Sequence, residues 1–343
     1  MSTTTKSPRK VLVVAYRTAR KVLPLYSHRF SPKTFTQHQL FACLVLKTFI
    51  KTDYRGIVAF LQDCPDLCKT IGLVKVPHYT TLQKVSKRLL CLSIANQLLI
   101  STVKSICKNK KIKLAAIDST GLEAGHISRY FVRRKRSKQL ETYENTHYRR
   151  WPKLSIVCDC RNHLILSAIT TRGPSVDVNQ FRKTLQPAID TFNIKHILAD
   201  AGYDSESNHR YARDECHIES TIPPNHGRPT LTPKPFKGKY RELMRTNFDK
   251  ETYGQRWQVE TVFSMIKRNF GETINARQYW AQCREIMLLV LTHNIAVLLL
   301  VNELFYRASL TPFLFLAKML RKFQYYGILS WQRWGFIVEG LLI

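Results

Sequence analysis

The segment 253–267 carries four polar side chains of different chemistry at helical spacing. Tyr253, Arg256, Glu260 and Lys267 supply a hydroxyl, a guanidinium, a carboxylate and an ammonium group. A helix is predicted because the segment has no proline and a single early glycine, and at 100° per residue the four side chains fall within an arc of about 60°. An adjacent arc of about 100° is wide enough to face a core; it contains Val259, Val262, Phe263, Ile266 and Phe270. The alternative is a solvated face on which Arg256 and Glu260 form an i,i+4 pair.

Two upstream segments each place an aspartate directly after a short apolar run. Asp118 follows residues 113–117, and Asp200 follows residues 196–199. Such runs predict buried strands, and a carboxylate at the end of a strand lies at the sheet edge, where sites in α/β folds form. Together with Glu260, three carboxylates would supply the hard oxygen ligands that suit Mg²⁺ or Mn²⁺ rather than zinc. For each aspartate alone, a turn or capping role is the alternative.

These six residues, in this order, resemble the signature of bacterial insertion-sequence DDE transposases. The family pattern Y-x2-R-x3-E-x6-K is met by Tyr253, Arg256, Glu260 and Lys267, and the two family aspartates match Asp118 and Asp200. The resemblance extends over residues 35–301. It implies an α/β fold with an RNase H-like mixed sheet flanked by helices and preceded by a helical N-terminal domain.

The resemblance also implies a chemistry. Asp118, Asp200 and Glu260 are expected to be the catalytic residues and to hold two Mg²⁺ (or Mn²⁺) ions about 3.5–4 Å apart, with Asp118 shared by both ions. Cleavage at the ends of an insertion sequence would expose a 3′-OH, which would then attack target DNA in strand transfer. Arg256 is expected to hold a phosphate bidentately, and Lys267 and Tyr253 to contact the DNA backbone. Two alternatives stay open: an RNase H-like nuclease without strand transfer, and a decayed or domesticated DNA-binding copy.

The charge of the chain indicates a polyanionic partner. There are 54 Lys and Arg against 24 Asp and Glu, a formal net charge of +30, and such an excess favours double-stranded DNA, here the element ends and the target. Basic residues interleaved with aromatics suit a DNA-backbone track; this pattern predicts DNA contacts at Arg133, Arg134, Arg136, Arg149 and Arg150, with Lys153 in the second cluster. Lys84, Lys87 and Arg88 are a further candidate group, for which a solvated helix face is the alternative.

Other features limit the location of the protein. Its nine cysteines are odd in number and scattered, which is typical of reduced thiols in a cytosolic protein rather than of a disulfide frame or a zinc site. No apolar signal-peptide core follows the basic N-terminus. The apolar run 286–306 contains His293 and Asn294, so a buried core helix is expected rather than a membrane span. We expect a cytoplasmic, nucleoid-associated protein that forms a homodimer on paired ends, the last point following from the resemblance.

The elements that must position these residues divide into three regions. Residues 1–108 are predicted to form a helical N-terminal DNA-binding domain, with helices at 11–23, 54–61 and 92–107 and two more begun by capping boxes at Thr36 and Thr80. Residues 109–307 form the predicted catalytic domain. Residues 308–343 are an apolar and basic tail of no assigned role.

Within the catalytic region the predicted order is three strands, helix, strand, helix, strand. The second and third strands, 154–158 and 163–170, should pair as a hairpin beside the Asp118 strand. The helix 176–192 should kink or split at Pro187, and 205–216 and 217–222 should be a helix and a strand. Five prolines make 223–245 a basic loop. We interpret Asp204 as a turn or capping residue, and Asp177 and Glu123 as structural.

Overall fold

A computed structural model describes residues 5–107, 109–124, 151–173, 175–225 and 238–301. Met1–Leu299 form one compact unit, and Leu300–Ile343 form a second. The tail at 308–343 lies outside the described residues. The division of the first unit at residue 108 stays a prediction.

The N-terminal part is helical. It contains α1 Pro8–Val22, α2 Gln37–Phe49, α3 Tyr54–Asp63, α4 Pro65–Thr70, α5 Tyr79–Leu89 and α6 Leu92–Lys104. The predicted capping box at Thr36 is confirmed, because Thr36 accepts from the Gln39 N–H at 3.2 Å and Gln39 accepts from the Thr36 N–H at 2.9 Å. The capping box at Thr80 is wrong: α5 begins one residue earlier, and the His78 ring accepts from the Thr80 N–H. Helix α4 was not predicted.

A five-stranded mixed sheet follows. Its strands are β1 Lys111–Gly121, β3 Pro152–Asp159, β4 Ile165–Arg172, β5 Asn193–Ala199 and β6 Glu219–Thr221, in the spatial order β4-β3-β1-β5-β6. The pairs β1–β3 and β3–β4 are antiparallel, and β1–β5 and β5–β6 are parallel. Two short strands, β2 Glu123–Ala124 and β7 Thr273–Ile274, pair in parallel beyond β1. This sheet with its flanking helices confirms the predicted α/β, RNase H-like fold class.

The remaining helices differ from the predictions in two places. They are a 3-10 turn Asp177–Gln180, α7 Phe181–Ile189, α8 Glu206–Arg210 continued by a π-helical turn Tyr211–Glu215, α9 Lys239–Thr246, α10 Lys250–Gly254 and α11 Trp257–Phe270. The helix predicted at 176–192 is split before Phe181 rather than at Pro187, which α7 tolerates near its end. The segment predicted as a basic loop at 223–245 ends in α9; residues 226–237 lie outside the described part.

The core is continuous from the N-terminal helices to the sheet. One cluster of buried apolar side chains includes Leu44 of α2, Leu98 of α6, Ile156 of β3 and Ile266 of α11. Burial of such side chains is the main favourable contribution to folding.

The C-terminal helix of the described part, α12 (Tyr279–Val301), is apolar. In the described residues it alone is long and apolar enough to cross a membrane, with mean hydropathy 1.8, and 78% of its most apolar window is buried inside the protein. Its polar residues have internal partners: His293 donates to the His163 carbonyl at 2.9 Å, and the Asn294 amide pairs with both the N–H and the carbonyl of Ile165 at 2.9 Å. Burial and these bonds favour the predicted core helix.

Candidate active site

The sheet brings the two predicted catalytic aspartates together. Strands β1 and β5 are parallel, with Ile117 opposite Ala199, so Asp118 and Asp200 follow on neighbouring strands about 4.8 Å apart. Asp118 is half-buried, whereas Asp200 is exposed. Each carboxylate accepts the N–H of the next residue at 2.7 Å, Ser119 and Ala201 respectively. Backbone pairing alone therefore places these two acids next to each other. Asp200 follows the end of β5 as predicted, whereas the prediction that Asp118 ends its strand is wrong, because β1 continues to Gly121 and pairs there with β3.

Glu260 comes from a helix that is interrupted. The single helix predicted over 253–267 is wrong, because α10 ends at Gly254 and α11 begins at Trp257. Across the junction the backbone forms i→i−3 hydrogen bonds, from Gln255 to Thr252 and from Arg256 to Tyr253, which tighten the chain into 3-10 geometry. The predicted apolar stripe of α11 is buried as expected; it comprises Val259, Val262, Phe263, Ile266 and Phe270.

Arg256 lies at this junction and connects the helix to the sheet. Its guanidinium contacts Asp118 Oδ2 at 3.4 Å and Glu260 Oε1 at 2.5 Å, and its side chain is 19% exposed. The Tyr253 ring centroid lies 5.9 Å from the Arg256 Cζ. The Arg256–Glu260 pair of the solvated-face alternative does form, but the same guanidinium also reaches across to β1. Arg256 thus lies against three other motif residues, namely Asp118, Tyr253 and Glu260.

Lys267 is more remote. It lies on α11 seven residues after Glu260, which is about 10 Å along a helix axis, and it is half-buried. Within the described ranges it has no ion-pair partner. The contact of Lys267 with DNA stays a prediction.

The charges around Asp118 favour a bound cation. Burial raises the pKa of Asp118 to about 6, and the nearby charges of Asp200 and Asp177 add to this rise, while the Ser119 N–H and Arg256 oppose it. A carboxyl pKa raised by desolvation and by like charges means that the Ser119 N–H and Arg256 compensate the ionised form only in part. A bound positive charge would supply that compensation.

A second buried network supports Asp118 and was missed by the sequence analysis. Asp177 accepts from the Lys153 ammonium and from the Ser119 hydroxyl, both at 2.6 Å. Lys153, assigned above to a DNA-contacting cluster, is instead buried and also donates to the Ser175 carbonyl at 2.9 Å. No local signal in the sequence indicated this, because the predicted strand 154–158 begins after Lys153, whereas β3 begins at Pro152.

The donor set fits a hard divalent ion in chemistry but is not preassembled around one. Asp118 and Asp200 are neighbouring oxygen donors, and the Arg256 guanidinium lies between the carboxylates of Asp118 and Glu260. Over the described ranges, no group of three or more His, Cys, Asp or Glu side chains is arranged to hold a metal. The Arg256 guanidinium contacts both Asp118 and Glu260.

The structure describes only some of the residues that are predicted to contact DNA. Arg133, Arg134, Arg136, Arg149 and Arg150 lie outside the described residues. Lys84, Lys87 and Arg88 are exposed on α5. Lys87 also lines a cleft of about 580 Å³ between the N-terminal helices and residues 275–288, which include the start of α12. The other charged residues of its lining are Lys47, Asp53, Arg277, Arg284 and Glu285.

Two comparisons with known proteins bear on the family of this chain. An uncharacterized protein of Aquifex aeolicus (strain VF5) is 23% identical over 280 residues, which cover 80% of this chain and 81% of that protein. The family described as transposase DDE domain matches residues 109–295, a range that begins just before β1 and ends within α12. Since that match covers more than half of the sequence, and includes Asp118, Asp200 and Glu260, this chain belongs to the transposase DDE domain family.

Proposed function

We propose that this protein is an insertion-sequence transposase that cuts DNA at the ends of its element and joins the new 3′-OH to target DNA. The observation that supports the proposal is the arrangement around Asp118: Asp200 follows on the neighbouring strand, and Arg256 connects Asp118 to Glu260. Family membership supports the general activity. The finer assignment to the Y-R-E-K group rests on the spacing of Tyr253, Arg256, Glu260 and Lys267.

Each carboxylate has a definite task in this proposal. Asp118, Asp200 and Glu260 would supply the carboxylate ligands for Mg²⁺ or Mn²⁺. When bound, a pair of such ions activates the attacking hydroxyl and stabilises the leaving oxygen. The Ser119 N–H orients Asp118 through its 2.7 Å bond to Oδ1. No covalent bond between protein and DNA is needed.

Arg256 is proposed to exchange partners. Its planar guanidinium has five donors in a geometry that matches carboxylate and phosphate equally well. In the protein alone it contacts Asp118 and Glu260. On binding DNA, the same donors would transfer to the phosphate next to the cut, and the two carboxylates would become available as ligands. Tyr253, beside this guanidinium, would contact the same stretch of backbone.

Double-stranded DNA is the proposed partner. The net charge of +30 supports it, since a large positive charge raises both affinity and encounter rate with a polyanion. The exposed α5 cations and the cleft that contains Lys87, Arg277 and Arg284 are proposed contacts for the element ends. The homodimer on paired ends and the cytoplasmic, nucleoid-associated location remain proposals of the same kind.

The test is a cleavage and joining assay with Mg²⁺ on DNA that carries the terminal repeats of the element. Wild-type protein should cut and join, and Asp200→Asn should do neither while it retains DNA affinity. Cutting without joining would replace the proposal by an RNase H-like nuclease. Metal-independent binding without cutting by the wild type would identify a decayed copy.

A further inference from the structure

Asp204 makes contacts that a turn residue does not need. It closes the 3-10 turn that follows Asp200, as predicted, but its side chain is fully buried. Both carboxylate oxygens accept from the Arg241 Nε at 3.1 and 3.0 Å, and Oδ2 also accepts from Arg241 Nη2 at 2.6 Å. A buried, bidentate pair of this kind fixes the relative position of two elements.

Glu206 adds a second tie between the same elements. Its carboxylate accepts from the backbone N–H groups of Tyr240 and Arg241 at 3.2 and 3.1 Å, in the first turn of α9. Negative charge at a helix N-terminus is favourable. Gly238 precedes the helix with φ of +121°, and a β-carbon there would overlap the Glu206 carboxylate. We call Asp204, Glu206 and Arg241 the clasp.

Along the chain, the clasp residues lie between two predicted catalytic acids, Asp200 and Glu260. On one side, Asp204 is separated from Asp200 by a single turn, in which the Tyr203 N–H bonds to the Asp200 carbonyl at 2.9 Å and the Asp204 N–H bonds to the Ala201 carbonyl at 3.1 Å. On the other side, α9 leads directly into α10 and α11, which carries Glu260.

The three acids are therefore linked in pairs by three different devices. Asp118 and Asp200 are linked by the pairing of β1 with β5. Asp118 and Glu260 are linked by Arg256, and by the pairing of β2 with β7 beyond each of them. Within the described residues, Asp200 and Glu260 have no direct contact. The clasp connects the segments that bear them, and Tyr240 of α9 adds a hydrogen bond to Asp214.

We propose that the clasp sets the distance between Asp200 and Glu260 and thereby controls the affinity of the three acids for divalent ions. Asp204 and Arg241 are positioning residues in this scheme, because they touch neither substrate nor ion. The inference rests on the proposed function for the identity of the acids. Residues that orient metal ligands from a distance commonly change metal affinity by about 10- to 100-fold when they are replaced.

The experiment uses the full chain with Arg241→Gln and Arg241→Lys. Arg245→Gln is the matched control, because Arg245 is on the same helix and pairs with Glu242 at the surface, at 2.5 Å and 54% exposed. Mn²⁺ binding to the protein in complex with end DNA is measured by electron paramagnetic resonance titration, with the DNA alone as the reference, because in the protein alone Arg256 contacts Asp118 and Glu260. Affinity for end DNA, thermal midpoint and the Mg²⁺ dependence of cleavage are measured in parallel.

Arg241→Gln should weaken Mn²⁺ binding by about tenfold or more and raise the Mg²⁺ concentration needed for half-maximal cleavage by a similar factor. Its affinity for end DNA should stay within about twofold of the wild type. Arg241→Lys should recover part of the loss, and Arg245→Gln should match the wild type. If Arg241→Gln does not fold, Glu206→Gln replaces it, since the amide keeps an acceptor for α9 but removes the charge.

Unchanged Mn²⁺ affinity in a folded Arg241→Gln or Glu206→Gln protein would overturn the proposal. So would equal losses of Mn²⁺ and DNA binding, since these would indicate general destabilisation. Failure of the proposed function has a separate signature: wild-type protein that binds Mn²⁺ but neither cuts nor joins DNA. In that case the Mn²⁺ titration of the variants still decides the role of the clasp.

Discussion

The strand-borne and helix-borne parts of the candidate site are held by different forces. Asp118 and Asp200 follow paired residues of β1 and β5, so their spacing is fixed by backbone hydrogen bonds that no side chain can alter. Glu260 follows a break between two helices, and its position relative to the sheet depends on the Arg256 guanidinium and on the packing of α11. Backbone pairing therefore holds Asp118 and Asp200 rigidly, whereas side-chain contacts leave the position of Glu260 adjustable.

The difference suggests where the site can move. A mid-helix stretch of 3-10 geometry is often a hinge, and the junction at Gln255 and Arg256 has that geometry. Rearrangement on binding DNA is therefore expected on the side of Glu260, whereas Asp118 and Asp200 should keep their relation. Four predictions test this contrast, in order of decreasing effect.

Arg256→Gln should have the largest effect, because it removes both the link between the halves and the proposed phosphate ligand. Loss of one such electrostatic contact costs on the order of 10²- to 10³-fold in rate. Cleavage of end DNA is measured under saturating Mg²⁺, and Arg268→Gln, an exposed position on the same helix, is the control. Equal rates for the two variants would remove Arg256 from the mechanism.

Lys153→Met should destabilise the strand-borne half. Asp177 would lose its ammonium partner, and breaking a buried pair costs about 3–5 kcal/mol; the value should fall at or below the lower end, because the Asp177 side chain is 31% exposed. Urea unfolding measures the change. Lys69→Met, from an exposed pair with Asp66, should leave the stability close to that of the wild type, because exposed ion pairs contribute little. The double variant Lys153→Met/Asp177→Asn should recover most of the loss.

Acid should weaken the contact between α12 and the sheet. Burial lowers the pKa of His293 from 6.5 to about 4, so the unfolded chain binds a proton between these pH values that the folded protein does not. Stability is then complete above pH 6.5 and falls as pH decreases towards 4, by up to about 3 kcal/mol. Unfolding measured across this range should show a shallower slope for His293→Gln, and an unchanged slope would contradict the assignment.

Gly254→Ala should have the smallest effect and an opposite sign for stability and activity. A β-carbon at Gly254 meets no atom within 4 Å, and alanine favours helix over glycine by about 0.5–1 kcal/mol. The free energy of unfolding should rise by about this amount. If the junction is a hinge, cleavage should slow by a few-fold; a stabilised variant with full activity would argue for a rigid junction.

The sequence was most informative where structure follows from local patterns. The apolar runs before Asp118 and Asp200 predicted two buried strands, and the periodicity of α11 predicted its buried face, because each depends on the pattern within one element. The break before Trp257, the burial of Lys153 and the partner of Asp204 could not be predicted in the same way. Each depends on which residue from a distant segment packs nearby, and periodicity contains no information about that.

Arg256 also bears on how the chain reaches its folded state. A cluster of acids that is uncompensated resists burial, and many metal-binding proteins fold only when the ion is present. Here the guanidinium acts as an internal counter-ion for Asp118 and Glu260. A newly synthesised chain can therefore complete its fold in a chelating solution, and ion entry becomes a ligand exchange at a finished site rather than a step of folding.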